Sequence, residues 1–281
     1  MSRIVLERDV TRLRVVHRQR VLRHGDADPA PAFDVRELEP AVATAAASGW
    51  LRLVETEYES VVISGWMASA LARLGAPLDI IGAFGRVVED EIRHVDICAQ
   101  MVEMLGEQPT IPRGAPPPFP VSLDGKAAEE AEFELLAGLV GFFCVFEQLS
   151  AHMFRHALAT AELDVAKWAL GEIHRDEAFH GAFGFETAKL FVPRWSDPLK
   201  RRLGERVAAE VKRFENRLGG PLLVAPAQTQ PRPMARSLEQ LGLLVPPELL
   251  AIFYPAVQQD LVPRLDELGV PCELRMGESS P

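Results

Sequence analysis

The sequence predicts an all-α protein in which a four-helix bundle is followed by a helical extension. Apolar residues recur with a helical period along four long segments between residues 40 and 191. The links within the first and second pairs of segments are short, so each pair is expected to form an antiparallel hairpin. The link between the pairs is long and rich in proline, as a crossover connection between two hairpins requires.

The first hairpin is bounded by clear helix ends. Its first helix is predicted from Glu39–Pro40 to about Leu74, where the Gly-Ala-Pro of residues 75–77 ends it. Its second helix is predicted over about residues 78–105 and ends at Gly106. Prolines exclude residues 108–125 from a helix and from a central strand, so we expect a long extended connection there.

The second hairpin and the extension complete the chain. We predict a third helix over about residues 127–161, a short break, and a fourth helix ending near residue 191. Residues 197–218 are predicted to form an amphipathic helix, 219–233 a loop, and 246–268 one or two short helices interrupted by Pro255 and Pro263. This gives three regions: a basic arm and loop over 1–40, the bundle over 41–195, and a helical extension with a frayed tail over 196–281.

Composition restricts the class of protein. The chain has 281 residues, a formal net charge of −10 and 48% hydrophobic residues. No run of about 18 apolar residues is free of charge, so we expect no membrane span. Seven arginines lie within residues 1–25, but that stretch lacks the apolar core of a secretory signal. We expect this arm to pair with the protein's own acidic body, and we expect no nucleic-acid partner.

Cysteine usage indicates the compartment. Cys98, Cys144 and Cys272 are widely spaced and odd in number, which favours a reducing cytoplasm without a disulfide framework.

Two copies of one short motif indicate a metal site. Residues 90–94 and 176–180 both have the pattern Asp-Glu-x-x-His, each inside a predicted helix. Positions i and i+3 of a helix lie on the same face, so the Glu and His of each run can bind one ion. Two such runs, with one further Glu on each of the other two helices, form a dinuclear carboxylate site.

The two further acids can be chosen from their position along each helix. Glu147 is a lone acid in an apolar stretch, and it lies 30 residues before Glu177, about as far from the intervening turn. On the first helix, Glu57 shares the apolar face, whereas depth slightly favours Glu59. A shift of about 3 Å along the axis is easily absorbed but a wrong face is not, so we choose Glu57.

The predicted site is rich in oxygen donors. Its six ligands, which are also the candidate catalytic residues, are Glu57, Glu91, His94, Glu147, Glu177 and His180. This set suits iron or manganese, whereas zinc sites more often carry thiolate or several histidines. Ligand histidines commonly donate their second N–H to a carboxylate, so we expect Asp90 to orient His180 and Asp176 to orient His94. The alternative is that these acids are solvated or salt-bridged residues of an ordinary helical bundle.

These residues resemble the ferritin-like di-iron carboxylate superfamily, which includes rubrerythrins, bacterioferritins, ribonucleotide reductase small subunits and arylamine N-oxygenases. The resemblance covers about residues 45–190. Residues 90–94 are similar to the rubrerythrin run, and residues 175–180 to the run of reductase small subunits. The resemblance implies a ferritin-like bundle, two iron or manganese ions, and O2 as co-substrate.

This chain lacks residues that individual families of the superfamily usually carry, which restricts the functions that the resemblance implies. Reductase small subunits usually carry a radical tyrosine four residues after the first ligand histidine, where this chain has Cys98. A Cys-x-x-Cys module of the rubrerythrin kind is absent from the sequence. Arylamine N-oxygenases have an extra histidine ligand one turn before the last Glu. His174 lies one residue from that spacing, and we consider it as an additional ligand.

The function expected from this resemblance is an O2-activating di-iron oxidase or oxygenase acting on a small organic substrate. Such an enzyme would use an external electron donor, and we expect a homodimer. Two alternatives stay open from the sequence. One is ferroxidase or peroxidase chemistry with iron handling, and the other is a non-catalytic helical interaction protein with an empty site.

Overall fold

A computed structural model describes residues 3–6, 30–112, 125–219 and 232–274 of the chain. Several sequence predictions fall wholly or largely outside these residues: most of the basic arm, the proline-rich part of the crossover connection, most of the loop predicted over 219–233, and the frayed tail.

Most of the described residues are helical, and the described strands form one short two-stranded ribbon. The first hairpin consists of α1 (Pro40–Arg73) and α2 (Leu78–Met104), and the second of α3 (Ala128–Thr160) and α4 (Asp164–Phe191). The extension contains α5 (Asp197–Gly219), α6 (Arg232–Gln240) and α7 (residues 246–267). The all-α prediction and the four predicted long helices are confirmed.

Glycines end the helices of the first hairpin as predicted. Gly75 follows α1 with a φ of 72°, and Gly106 follows α2 with a φ of 88°. Glycine adopts this left-handed conformation at little energetic cost because it has no Cβ, so each glycine ends its helix and turns the chain. The tight link after α1 brings α2 back along it, and α1 packs extensively on α2. α4 packs on both α2 and α3, which joins the two hairpins.

Two helices contain π-helical segments that the periodicity does not predict. Val140–Glu147 in α3 is wound as a π-helix between Ala128–Leu139 and Gln148–Thr160. In α7, Val257–Leu261 is a π-helix between Pro246–Ala256 and Val262–Glu267. π-Helical turns are rare and are frequently found at functional sites.

The predicted interruption of α7 by its prolines is wrong. Pro255 lies inside the helix, and the π-helical segment follows directly after it. Pro263 lies in the first turn of the segment that follows, where a missing N–H costs little. The helix therefore continues from 246 to 267, because the changed winding accommodates the prolines that would break a regular α-helix.

A short ribbon packs against α1. β1 (Arg3–Val5) pairs antiparallel with β2 (Thr110–Pro112), with Ile4 opposite Ile111. The guanidinium group of Arg3 contacts the Glu55 carboxylate on α1. This ribbon is missing from the sequence prediction, because its strands are three residues long and far apart in the chain.

Glycine allows α4 to approach the π-helical segment of α3 closely. A Cβ at Gly184 would collide with the side chain and backbone of Phe143, and one at Gly181 would collide with Gln148. Both glycines follow His180 on the buried face of α4. The missing side chains bring the His180 face of α4 against the segment that carries Glu147.

Helices of the extension contact the second hairpin. α5 contacts α3, and α7 contacts both α3 and α5. Within the described residues, α3 alone has the length and apolar composition to cross a membrane, and 83% of its most apolar stretch is buried inside the protein. Burial of that kind is also found in core helices of bundles.

Candidate metal centre

Two buried clusters of carboxylate and imidazole groups lie between the four long helices. The first contains Glu57, Glu91, His94 and Glu177, and the second contains Glu91, Glu147, Glu177 and His180. Within each cluster the potential ligand atoms all lie within 4.8 Å of one another. Glu91 and Glu177 belong to both clusters, so the six side chains form one continuous site.

His94 is surrounded by carboxylates on one edge of its ring. Its Nδ1 atom lies 3.4 Å from Glu57 Oε2 and 3.5 Å from Glu91 Oε2. The same atom lies 3.4 Å from Glu177 Oε1. One imidazole nitrogen therefore faces carboxylates from three helices, α1, α2 and α4.

His180 has the equivalent position in the second cluster. Its Nδ1 atom lies 3.1 Å from Glu91 Oε1 and 3.7 Å from Glu147 Oε2. Glu177 Oε1 is 3.9 Å from it. The Nδ1 atoms of both histidines thus point toward the two acids that the clusters share.

Many polar atoms of the site have no hydrogen-bond partner among the described residues. They include both carboxylate oxygens of Glu91, Oε2 of Glu177, Nδ1 of His94 and both ring nitrogens of His180. Each of these side chains is at most 2% exposed. A buried polar atom without a partner costs about 1–3 kcal/mol, and more when it is charged. Divalent cations would satisfy all of these atoms except the outer Nε2 of His180, so the residues present fit a metal pair.

The ionisation of the cluster also indicates a requirement for positive charge. Burial raises the pKa of the Glu57 carboxyl to about 7, opposed by His94 and supported by the charges of Glu91 and Glu147. Burial and the charge of Glu147 raise the pKa of Glu177 well above its ordinary value.

The pKa values of the two histidines change in the direction that favours positive charge. Burial lowers the pKa of His94 and of His180, but the surrounding carboxylates outweigh burial and raise both well above the ordinary value. Burial raises the pKa of Glu91, yet the two imidazoles lower it to about 2. Without a metal the cluster thus retains protons, and two divalent ions would balance its four carboxylates in charge.

The outer nitrogens of the histidines face aspartates in a crosswise arrangement. His94 Nε2 lies 3.2 Å from Asp176 Oδ2 on α4, and His180 Nε2 lies 3.5 Å from Asp90 Oδ2 on α2. The first distance is a hydrogen bond, and the second is slightly too long for one. These are the pairs expected from the sequence: Asp176 holds the His94 ring through a hydrogen bond, and Asp90 faces the His180 ring.

A buried arginine joins the two aspartates. Arg93 Nη2 donates to Asp90 Oδ1 at 3.0 Å and also contacts Asp176 Oδ2. Arg93 is only 3% exposed. Arg86 reaches Asp90 from the protein surface, with Nη2 2.6 Å from Oδ1. The sequence prediction did not include Arg93. The available signal was a charged residue inside a motif that was expected to be buried, one position before His94.

The structure separates the alternatives that the sequence left open. Glu57 is 4% exposed and joins the cluster, whereas Glu59 faces Arg217, with Oε2 3.8 Å from its Nη2.

His174 is not part of either cluster. Burial lowers its pKa and the charge of Arg155 adds to that effect, which places it near a cation instead of near the carboxylates. The expectation of His174 as an additional ligand therefore has no support.

A cavity of about 460 Å3 reaches the site at Glu57. Its walls come from α1, β2, α3, α5 and α7, so the extension contributes to it directly. The aromatic wall includes Phe146, which immediately precedes Glu147 in the π-helical segment, and Phe214 of α5. Their rings meet edge to face with centroids 4.5 Å apart. The cavity volume lies in the range of small-molecule sites, about 300–1,000 Å3.

Comparison with protein-family models finds none that matches this chain. Comparison with curated proteins also finds no match. The functional interpretation therefore depends on the geometry of the residues themselves.

Proposed function

We propose that this chain is a ferritin-like di-iron enzyme that activates O2 and oxidises a small organic substrate. One observation carries the proposal: six buried ligands form two clusters that share Glu91 and Glu177, and the cavity beside them reaches Glu57. A bundle of two hairpins with Glu-x-x-His motifs on two helices and a Glu on each of the others is the arrangement of dinuclear carboxylate proteins.

The donor set supports iron, with manganese as the closest substitute. Four carboxylates and two imidazoles are hard and intermediate ligands, which suit these metals better than thiolate-rich zinc sites would. Cys98 and Cys144 are buried close by in sequence, but neither belongs to the clusters. One ion would be bound by Glu57 and His94 and the other by Glu147 and His180. The two shared acids, Glu91 and Glu177, would bind both ions.

Bound as a pair, two ferrous ions would supply the electrons for the reduction of O2. The chain's own residues hold this chemistry in place. Asp176 accepts the Nε2–H of His94 and so fixes the tautomer with Nδ1 free to bind. Arg93 pairs with both Asp90 and Asp176 and so links the two motifs.

The cavity supplies the conditions for oxidation of an organic molecule. Its apolar side chains would bind and orient the apolar part of a substrate beside Glu57. This favours an oxidase or oxygenase over iron handling, because the lining of the cavity is mostly apolar and two of its acids, Glu55 and Glu59, are held in ion pairs with arginines. An external electron donor would return the site to its reduced state after each turnover.

Anaerobic loading with ferrous iron, followed by rapid mixing with O2, tests the proposal. We expect a transient visible absorption band whose decay is accelerated by one class of small organic molecule. Glu147→Ala should lose both bound iron and the band, whereas Glu132→Ala, an exposed acid on the same helix, should retain them. Circular dichroism of both variants verifies that the fold is intact.

Three outcomes would contradict the proposal or redirect it. A folded protein that takes up no iron would refute the enzyme. Iron uptake far beyond a pair per chain, with a cage-sized assembly, would indicate storage instead. An O2-dependent band that no organic molecule affects, with iron oxidised and released, would indicate ferroxidase chemistry.

A further inference from the structure

The cavity beside Glu57 has an apolar body and a charged margin. Its apolar walls come from five elements of the fold and include Leu53, Met153, Phe154 and Leu249. At about 30 Å3 for each water-sized group, the volume has room for roughly 15 non-hydrogen atoms. A ligand that fills it must therefore bury a mostly apolar body.

Most of the charges that line the cavity already have partners. Glu57 faces His94 within the metal centre, with Oε2 3.4 Å from Nδ1. Glu55 contacts Arg3 of the ribbon. Glu59 faces Arg217, whose guanidinium group also lies 4.9 Å from the centre of the Phe146 ring. Among the described residues, these pairs leave no carboxylate at the cavity that is free to receive a ligand cation.

Arg52 is the exception among these charges. It lines the cavity from α1, and its guanidinium group has no ion-pair or hydrogen-bond partner among the described residues. Arg52 is only partly exposed, so its charge is less well hydrated than that of a surface arginine. A guanidinium group matches a carboxylate in geometry and can bind it through two parallel hydrogen bonds.

We propose that the substrate is an amphipathic acid whose carboxylate pairs with Arg52 while its apolar body fills the cavity toward Glu57. This inference rests on the proposed oxidase function, because it names the substrate class of that site. The apolar walls select for the body of the molecule, and the unpaired cation selects for the acid over an alcohol or an amine of the same length.

Binding of three probes with one alkyl chain tests this selectivity. Decanoate, decanol and decylamine are titrated by calorimetry into the full-length protein loaded anaerobically with ferrous iron. We expect decanoate to bind roughly tenfold more tightly than decanol, as for one charge-assisted hydrogen-bonded contact, and decylamine to bind most weakly. Arg52→Ala should remove the preference for decanoate and leave decanol binding unchanged.

Two matched variants distinguish the cavity from other binding sites. Arg201→Ala removes an exposed arginine of α5 outside the cavity and should leave all three affinities unchanged. Met153→Trp fills the cavity from α3 and should weaken all three probes. Decanoate binding that survives Arg52→Ala, as for a carboxylate held by the metal alone, would overturn the inference, as would unchanged binding in Met153→Trp.

Iron content is measured in the same preparations, so that the two proposals can fail separately. A protein without iron refutes the proposed enzyme. A protein with its full iron content and no preference for decanoate refutes only the assignment of an acidic substrate.

Discussion

Replacing Arg93 by methionine tests whether the buried bridge between the two motifs holds the site together. Arg93 donates to Asp90 Oδ1 at 3.0 Å and contacts Asp176 from the other motif. Methionine retains much of the apolar stem and removes the charge. The substitution leaves two carboxylates, 1% and 9% exposed, without the cation that they share.

The expected loss of stability is large because the pair is buried. Removing one partner of a buried ion pair costs about 3–5 kcal/mol, since the remaining charge stays out of water. Arg86 provides a matched control. It contacts the same Asp90, with Nη2 2.6 Å from Oδ1, but its side chain is 32% exposed. Arg86→Met should therefore cost at most about 1 kcal/mol.

Urea unfolding of the metal-free protein, followed by circular dichroism, measures both variants. We expect the midpoint of Arg93→Met to fall well below that of Arg86→Met, with similar slopes. Equal losses in the two variants would refute the reasoning, because burial would then make no difference to the bridge.

Three further predictions follow from burial and charge. Phe143→Ala should destabilise the protein by about 3–5 kcal/mol, whereas Phe179→Ala, 43% exposed, should cost much less by the same urea assay. Glu57→Ala should lower the bound iron measured after dialysis, and Glu59→Ala should not; equal losses would contradict the choice between them. Burial raises the pKa of Asp260, but hydrogen bonds from α3 outweigh burial and lower this pKa below its ordinary value. The contribution of Asp260 to stability is therefore present above about pH 4, and it disappears as the pH falls through the lowered pKa. Asp260→Asn should therefore reduce the unfolding free energy at pH 6 and have less effect near pH 3, and an equal effect at both would exclude this cause.

Local rules predicted the long helices and the six acidic and histidine residues that cluster between them. The helical period located α1 to α4, and left-handed glycines ended α1 and α2 where expected. Because residues three apart share a helix face, the spacing in each motif alone placed Glu91 beside His94 and Glu177 beside His180. The pairing of each aspartate with the histidine of the opposite motif was predicted from the same spacing, because two similar motifs on facing helices bring each aspartate to the opposite ring.

Features that depend on packing between distant segments were not predictable. The π-helical winding of Val140–Glu147 has no signature in local composition, because it follows from how α3 packs against α4 at Gly184. Arg93 would be assigned to the surface by its charge, and only the two facing aspartates explain its burial. The ribbon joins residues more than 100 positions apart, so neither strand can be recognised alone.

The cavity likewise arises from long-range assembly. Phe146, which precedes Glu147 in the apolar stretch of α3, lies in the cavity wall. Its partner Phe214 belongs to the extension, for which the sequence offered no contact with the site. The charge left unpaired at Arg52 could be identified only after the neighbouring ion pairs were known.

Equilibrium binding of ferrous iron under anaerobic conditions tests the dinuclear centre most directly. The purified chain is dialysed against ferrous iron, and the bound metal per chain is measured for the natural protein and for Glu177→Ala, which removes an acid shared by both clusters. We predict about two iron ions per chain in the natural protein and loss of both in the variant. A natural protein that binds no iron, or a variant that retains the full amount, would contradict the assignment of these six residues as a metal centre.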